Sequence, residues 1–305
     1  MKIAILGAGA LGCYYGARLQ ESRQDVSFIV RSEYGYLKEH GLQVKSLAWE
    51  YLPAPHQRLP GHGGSRSGRP RCRCMEKHGK RRIFQSPSPL MGPDTTVVTL
   101  QNGMGNAEEI ARIIPAERIY VGLCFICAMR EKPGHVNHLE GGNIQFAPFI
   151  PTPEGTEKAR ELSELFANAG IKTRAFDAAE QIQWYKLVWN IPFNGLCLAL
   201  GGISIAELYQ NPENVVRARR IMEEVVQAAR ARGYALPEDL VEFHLSRTET
   251  MGAFIPSSAV DYNEGRPVEY TAIWGDPLSK ARQAGASVPE WELLDKAIRK
   301  RLNMN

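Results

Sequence analysis

Cysteine is scarce, with six in 305 residues at positions 13, 72, 74, 124, 127 and 197. Six thiols so scattered make no disulfide framework, which excludes a small secreted scaffold. They read as reduced thiols of a cytoplasmic protein. Long apolar runs are also missing. The opening MKIAILGAGALG has only Ile3–Leu6 before its first glycine, and no cleavage site follows a longer core, so it does not read as a signal peptide. The longest uncharged stretch, Leu187–Ala206, is interrupted by Asn190, Pro192, Asn194 and three glycines. It suits a buried helix and its turn better than a membrane span. No internal repeat is visible. Apolar residues at 44% and charged residues at 23% are those of an ordinary globular protein. The length predicts two domains.

The net charge of +4 is unevenly spread. Pro53–Arg82 alone holds nine Lys/Arg and one acid, Glu76, so the remainder of the chain is mildly acidic. A nucleic-acid-binding surface would need aromatics interleaved with that basic run, and none are there. No nucleic-acid partner is expected. Zinc ligation by His62, Cys72, Cys74 and His78 is disfavoured because C-x-C is not the usual structural spacing. Cys124 and Cys127 lie in an apolar strand, where residues three apart face opposite sides, so they read as strand residues rather than a redox pair.

Apolar runs bounded by turn residues place strands at Ile3–Leu6, Asp25–Val30, Thr96–Leu100, Arg118–Cys127, His135–His138, Asn143–Ala147 and Ile171–Phe176. Helical spacing covers Leu11–Gln20, Asn106–Ile114 and Glu157–Ala169. After Asp177 the pattern turns helical throughout: 177–200, 213–232, 238–250, 257–264, 268–284 and 290–302. The expected architecture is an α/β, Rossmann-like dinucleotide-binding domain over 1–176 and an all-helical substrate domain over 177–305.

Gly7-Ala8-Gly9-Ala10-Leu11-Gly12 matches G-x-G-x-x-G between a strand and a helix. The first glycine permits the turn and the second lets backbone approach a pyrophosphate. The third lets helix and strand pack closely, and the helix N-terminus favours the anion. The second strand ends at Val30 with Arg31-Ser32, not with the acid that binds a ribose 2′-hydroxyl. A guanidinium there suits a 2′-phosphate, which favours NADPH over NADH.

Lys186, Asn190 and Asn194 stand at i, i+4 and i+8, on one helical face among apolar residues. They read either as a polar site cut into a core or as a snorkelling lysine with capping amides. A second cluster runs Ser257-Ser258-Ala259-Val260-Asp261, then Gly265-Arg266-Pro267-Val268-Glu269. Ser257 could be an N-cap and Glu269 a first-turn carboxylate.

Together, GAGALG, the Gln101-Asn102-Gly103 turn, the Lys186/Asn190/Asn194 helix, the SS…D motif and GRPVE resemble the ketopantoate reductase (2-dehydropantoate 2-reductase) family. The resemblance runs from Met1 to about Pro55 and from about Leu90 to the end. It implies reduction of 2-dehydropantoate to pantoate by NADPH, on the route to pantothenate and coenzyme A. Lys186 would be the general acid. Asn190 and Asn194 would hold substrate oxygens, and Ser258 the carboxylate end. Asn102 would sit where cofactor and substrate meet. Glu269 would approach the cofactor and orient the site, and Ala128 would lie against the cofactor. No metal and no membrane partner are implied, and a homodimer is left open. Another 2-keto acid would satisfy the same residues.

The family has a further strand–helix unit between Val44 and Leu90. Here Leu59 is the only branched apolar residue in Pro53–Arg82, and Val, Ile, Phe, Tyr and Trp are absent from it. No buried strand can be built from that composition, so non-sheet or disordered chain is expected near 53–85. Residues 53–89 read as translated out of frame. Cys-Met-Glu-Lys-His-Gly at 74–79 must be encoded TGY-ATG-GAR-AAR-CAY-GGN. One base later this gives (Ala or Val)-Trp-(Lys or Arg)-(Asn or Ser)-(Met or Thr), the end of a strand with a lysine for the cofactor phosphates. A chain altered in this way could bind NADPH without turning over.

Overall fold

The computed structural model describes residues 1–7, 9–30, 33–46, 50–51 and 90–304, with the side chains of 50 and 51 left aside. The expectations for Ala8, Arg31, His62, Cys72, Cys74, His78 and the 53–85 segment lie outside these residues. The chain forms two compact units, Met1–Leu100 with Ile113–Asp177, and Gln101–Arg112 with Ala178–Asn305.

The first unit is α/β. Strand β1 (Lys2–Leu6), helix α1 (Ala10–Glu21) and β2 (Asp25–Ile29) form a βαβ unit in which Lys2 faces Asp25 and Leu6 faces Ile29 in parallel. Helix α2 (Tyr34–His40), β3 (Gln43–Ser46), β4 (Glu50–Tyr51) and β5 (Val97–Thr99) follow. Helix α3 (Asn106–Ala111) belongs to the other unit. Then come β6 (Ile119–Lys132), β7 (His135–Pro148), α4 (Pro153–Ala167) and β8 (Thr173–Ala175). The second sheet has the order β4-β3-β7-β6-β5, with β8 also on β7. Among the described residues β1 pairs with β2 alone and β5 with β6 alone. The unit buries Tyr15, Leu19, Phe28, Val44, Ile144, Phe146 and Phe166 in one core.

Two strands expected at His135–His138 and Asn143–Ala147 are one strand, β7. Gly141 and Gly142 take positive φ (79° and 107°) and shift the register against Phe125–Ala128. They make a bulge rather than a chain break.

The second unit is helical. Helix α5 (Ala179–Ala199) runs through it with fifteen buried residues, so Gln183, Asn190 and Asn194 are polar groups inside a core. Around it lie α6 (Ile205–Tyr209), α7 (Pro212–Ala231), α8 (Leu240–Glu249), α9 (Ser257–Asn263), α10 (Asp276–Gln283) and α11 (Pro289–Arg301). Trp184, Trp274 and Trp291 are fully buried here. The helix expected over 268–284 is instead a π-helical turn, Thr271–Gly275, running into α10. Helix α6 was not expected. Its start is a capping box, Ser204 with Glu207, which is legible in the sequence as S-x-x-E.

The segment Gln101–Arg112, read from the sequence with the first domain, groups with the helical unit. Met104 explains this, being 1% exposed within the helical core. Among the described residues Cys13, Cys124, Cys127 and Cys197 form no disulfide. Burial pushes the Cys13 and Cys197 thiols up to about 12 and raises Cys127, so these groups stay protonated and inert. No described helix is long and apolar enough to cross a membrane, and no described cluster could hold a metal.

Candidate active site

The glycine turn has the geometry of an anion cradle. Gly7 holds φ +104° and donates its N–H to Ile29 at 3.0 Å, tying the turn to the end of β2. A Cβ on Gly12 would lie 2.3 Å from the Gly7 carbonyl oxygen, so only glycine lets α1 start this close to β1. A Cβ on Gly9 would meet nothing within 4 Å. Gly9 is the N-cap of α1 and no side chain caps the helix. The first-turn N–H groups of α1 thus have no cap from Gly9, and a ligand of negative charge suits them. These features fit the pyrophosphate of a dinucleotide. Ala128 lies on β6 beside a register shift, half-buried against the same core.

Glu33, just after β2, was not singled out from the sequence. It is ion-paired with Arg130 of β6, and its second carboxylate oxygen is buried without a hydrogen bond among the described residues. Its distance from Gly12 is that at which dinucleotide folds place a ribose-binding acid, which was the available signal.

The second constellation is assembled within the helical unit. Lys186, half-buried on α5, donates from Nζ to Asn102 Oδ1 at 2.8 Å. Gln183, one turn earlier, donates from Nε2 to the Gly103 carbonyl at 2.9 Å. The Gln101–Gly103 turn is therefore held by α5 at two points. Asn106 Nδ2 donates to the Asn102 carbonyl at 3.0 Å and holds it from α3. Asn190, one turn beyond Lys186, is 5% exposed and has no side-chain hydrogen bond among the described residues.

Asn194 is tied to the start of α9. Its Oδ1 accepts from the Ser258 N–H at 3.0 Å and from Ser257 Oγ at 3.4 Å. Ser257 is the first residue of α9, not its N-cap, and Pro256 at the cap has no side-chain bond to give. Asn194 caps that helix from a different helix and thereby seats Ser258, which is 2% exposed. Glu269 is exposed and lies just before the π-helical turn, not in a first α turn. Gln183 was missed by sequence reasoning, although its position one turn before Lys186 on the same helix was visible.

Chemically, this is a cation held by an amide, with a buried amide one turn away. It can polarise a carbonyl oxygen and give it a proton.

Residues 3–58 and 80–150 match the family model for ketopantoate reductase PanE/ApbA, and residues 178–301 match the model for its C-terminal part. Residues 59–79 fall outside both. A 2-dehydropantoate 2-reductase of Nostoc sp. is 33% identical over 301 residues, covering 95% of this chain and 91% of that protein. The crystal structure of 2-dehydropantoate 2-reductase from Geobacter metallireducens GS-15 matches with a TM-score of 0.86 at 34% identity, covering 98% and 99% of the two chains. A structure of D-mandelate dehydrogenase with NADH matches at a TM-score of 0.80 and 25% identity, with all of both chains covered.

Proposed function

The chain belongs to the ketopantoate reductase family, and on that premise we propose that it reduces 2-dehydropantoate to pantoate with NADPH in the cytoplasm, a step toward pantothenate and coenzyme A. When bound, the nicotinamide supplies hydride to the ketone carbon. Gly7, Gly9, Gly12 and the N-terminus of α1 hold its pyrophosphate, with Ala8, Ala10 and Leu11 in the same turn. Arg31 takes the 2′-phosphate, and Ala128 lies against the cofactor. The 1–176 domain is thus the nucleotide-binding part, and 177–305 the substrate part with the Asn102 turn.

Lys186 polarises the ketone and gives its proton to the oxygen as negative charge develops there. Asn102 fixes the ammonium and meets both cofactor and substrate. Asn190, Asn194 and Ser258 hold substrate oxygens, and Asn194 also seats Ser258. Glu269 orients the site. The observation that carries this reading is the 2.8 Å contact between Lys186 Nζ and Asn102 Oδ1. It supports an ammonium fixed in position before substrate arrives.

The test is NADPH oxidation with 2-dehydropantoate and a panel of other 2-keto acids. A second reading, a reductase for another 2-keto acid, draws support from the likeness to D-mandelate dehydrogenase. It predicts turnover of a different panel member, such as the 2-keto acid of mandelate. A third, NADPH binding without turnover, draws support from the unmatched 59–79 stretch. It predicts NADPH bound by the purified protein and no oxidation with any panel member.

A further inference from the structure

Glu269 is carried on an unusual stretch of backbone. Thr271–Gly275, beginning two residues after it, is a π-helical turn. Such a turn holds an extra residue, so it rotates the backbone on its N-terminal side relative to α10 on its C-terminal side. Single π turns occur often at functional sites. The poorer geometry needs support from outside, and three contacts supply it here. The Ala272 carbonyl accepts from the Met104 N–H at 2.8 Å, two residues from Asn102. Trp274 Nε1 donates to the Ile191 carbonyl at 3.0 Å, next to Asn190 on α5. Tyr270 Oη donates to Asp295 Oδ1 at 2.6 Å, across 25 residues of chain, from the residue after Glu269 to α11.

The first two contacts tie the turn to the two elements that hold Asn102 and Lys186. Gly103 shows how tight the first one is: its φ is +76°, and a Cβ there would sit 2.1 Å from the Ala272 oxygen. The third contact is a side-chain pair outside the family motifs. Asp295 is only 8% exposed, and a carboxylate so placed is costly unless it is hydrogen-bonded. The Tyr270 ring stacks on Trp274 at 6.2 Å between centroids. Burial, with the Asp295 carboxylate adding to it and Arg299 opposing, pushes the Tyr270 phenol up to about 12, so it remains a donor at any working pH.

We infer that Tyr270 and Asp295 are positioning residues: their hydrogen bond holds the π-helical turn, and through it both the backbone that bears Glu269 and the seat of the Asn102 turn. This inference rests on the role of Glu269 proposed above.

The test is a double-mutant cycle on the full chain, joined to amide exchange. Tyr270→Phe removes the hydroxyl and keeps the stacking ring. It is expected to lower kcat about tenfold, as loss of a hydrogen bond to a charged group does. In a Glu269→Gln background the same change is expected to cost less than about twofold, because coupled residues are not additive. Asp295→Asn, which keeps an acceptor oxygen, retains more activity than Asp295→Ala. Independently of turnover, Tyr270→Phe is expected to speed exchange of the Met104 amide about tenfold while α7 amides keep their wild-type rates. Unchanged exchange at Met104 overturns the inference, as does an equal loss from Tyr270→Phe in both backgrounds. Wild-type turnover by Glu269→Gln alone overturns the role of Glu269 and the inference with it. An equal loss in the two backgrounds, with Glu269→Gln itself impaired, overturns the inference alone.

Discussion

Lys186 and Asn102 meet at 2.8 Å although 84 residues separate them. The sequence offers each residue separately, the lysine on a helical face and the asparagine in a turn between strand and helix. That they touch is set by Met104, whose burial draws the turn into the helical core. Asn102→Ala is expected to lower kcat by about tenfold or more, because it frees the ammonium without removing it, and to weaken NADPH binding a few-fold, because the side chain also meets the cofactor. Steady-state rates alongside an NADPH titration separate the two effects. Asn194 was legible as a polar residue in a core but not as a cap, because its partner Ser258 is 64 positions on. Asn194→Ala should cost about 1 kcal/mol of stability as a lost helix cap. It should also raise KM for the keto acid more than it lowers kcat. Denaturant unfolding and Michaelis kinetics measure the two. A variant with lowered kcat at unchanged KM would place Asn194 in the chemistry instead.

Elements differ in how far local pattern specifies them. The β1–α1–β2 unit was legible because strand, glycines and helix are contiguous, with a positive φ at Gly7 and a close approach at Gly12. Gly12→Ala should abolish or weaken NADPH binding at least about tenfold, since its Cβ would collide with the Gly7 carbonyl 2.3 Å away. Quenching of protein fluorescence by NADPH is the measurement, and wild-type affinity would contradict the cradle. The π-helical turn was not legible. Residues 268–284 have helical spacing throughout, and the extra residue in Thr271–Gly275 answers contacts with Met104 and Ile191 that lie far away in sequence. The cap of α11 has the same character. Glu224 of α7 accepts from the Glu290 and Trp291 N–H groups at 2.9 and 2.8 Å, which no local motif announces.

At the scale of the whole molecule, stability should depend on acid through His244. It is 7% exposed on α8, and burial holds its imidazole down to about 4 from an ordinary 6.5. Between those values the unfolded chain binds the proton and the folded one does not. Stability is therefore complete above about pH 6.5 and falls as pH drops toward 4, by up to about 3 kcal/mol. Tryptophan fluorescence reports this in the helical unit, where Trp184, Trp189, Trp274 and Trp291 lie. His244→Leu should flatten the slope, and an unchanged slope would assign the acid sensitivity to other groups. The basic stretch within 53–89 belongs to this scale too, because it bears on whether the first domain is complete. Sequencing the source DNA over codons 50–92 is expected to reveal a pair of compensating frame changes against related strains. One continuous frame shared with those strains would refute the frame account.

The central claim is that an amine on the helical unit does acid chemistry on a keto acid. It is tested most directly by NADPH oxidation with 2-dehydropantoate, comparing the wild-type chain with Lys186→Ala. Removal of a general acid is expected to lower kcat by about 10²–10⁴-fold with NADPH binding intact. Turnover by Lys186→Ala within a few fold of the wild type would contradict it.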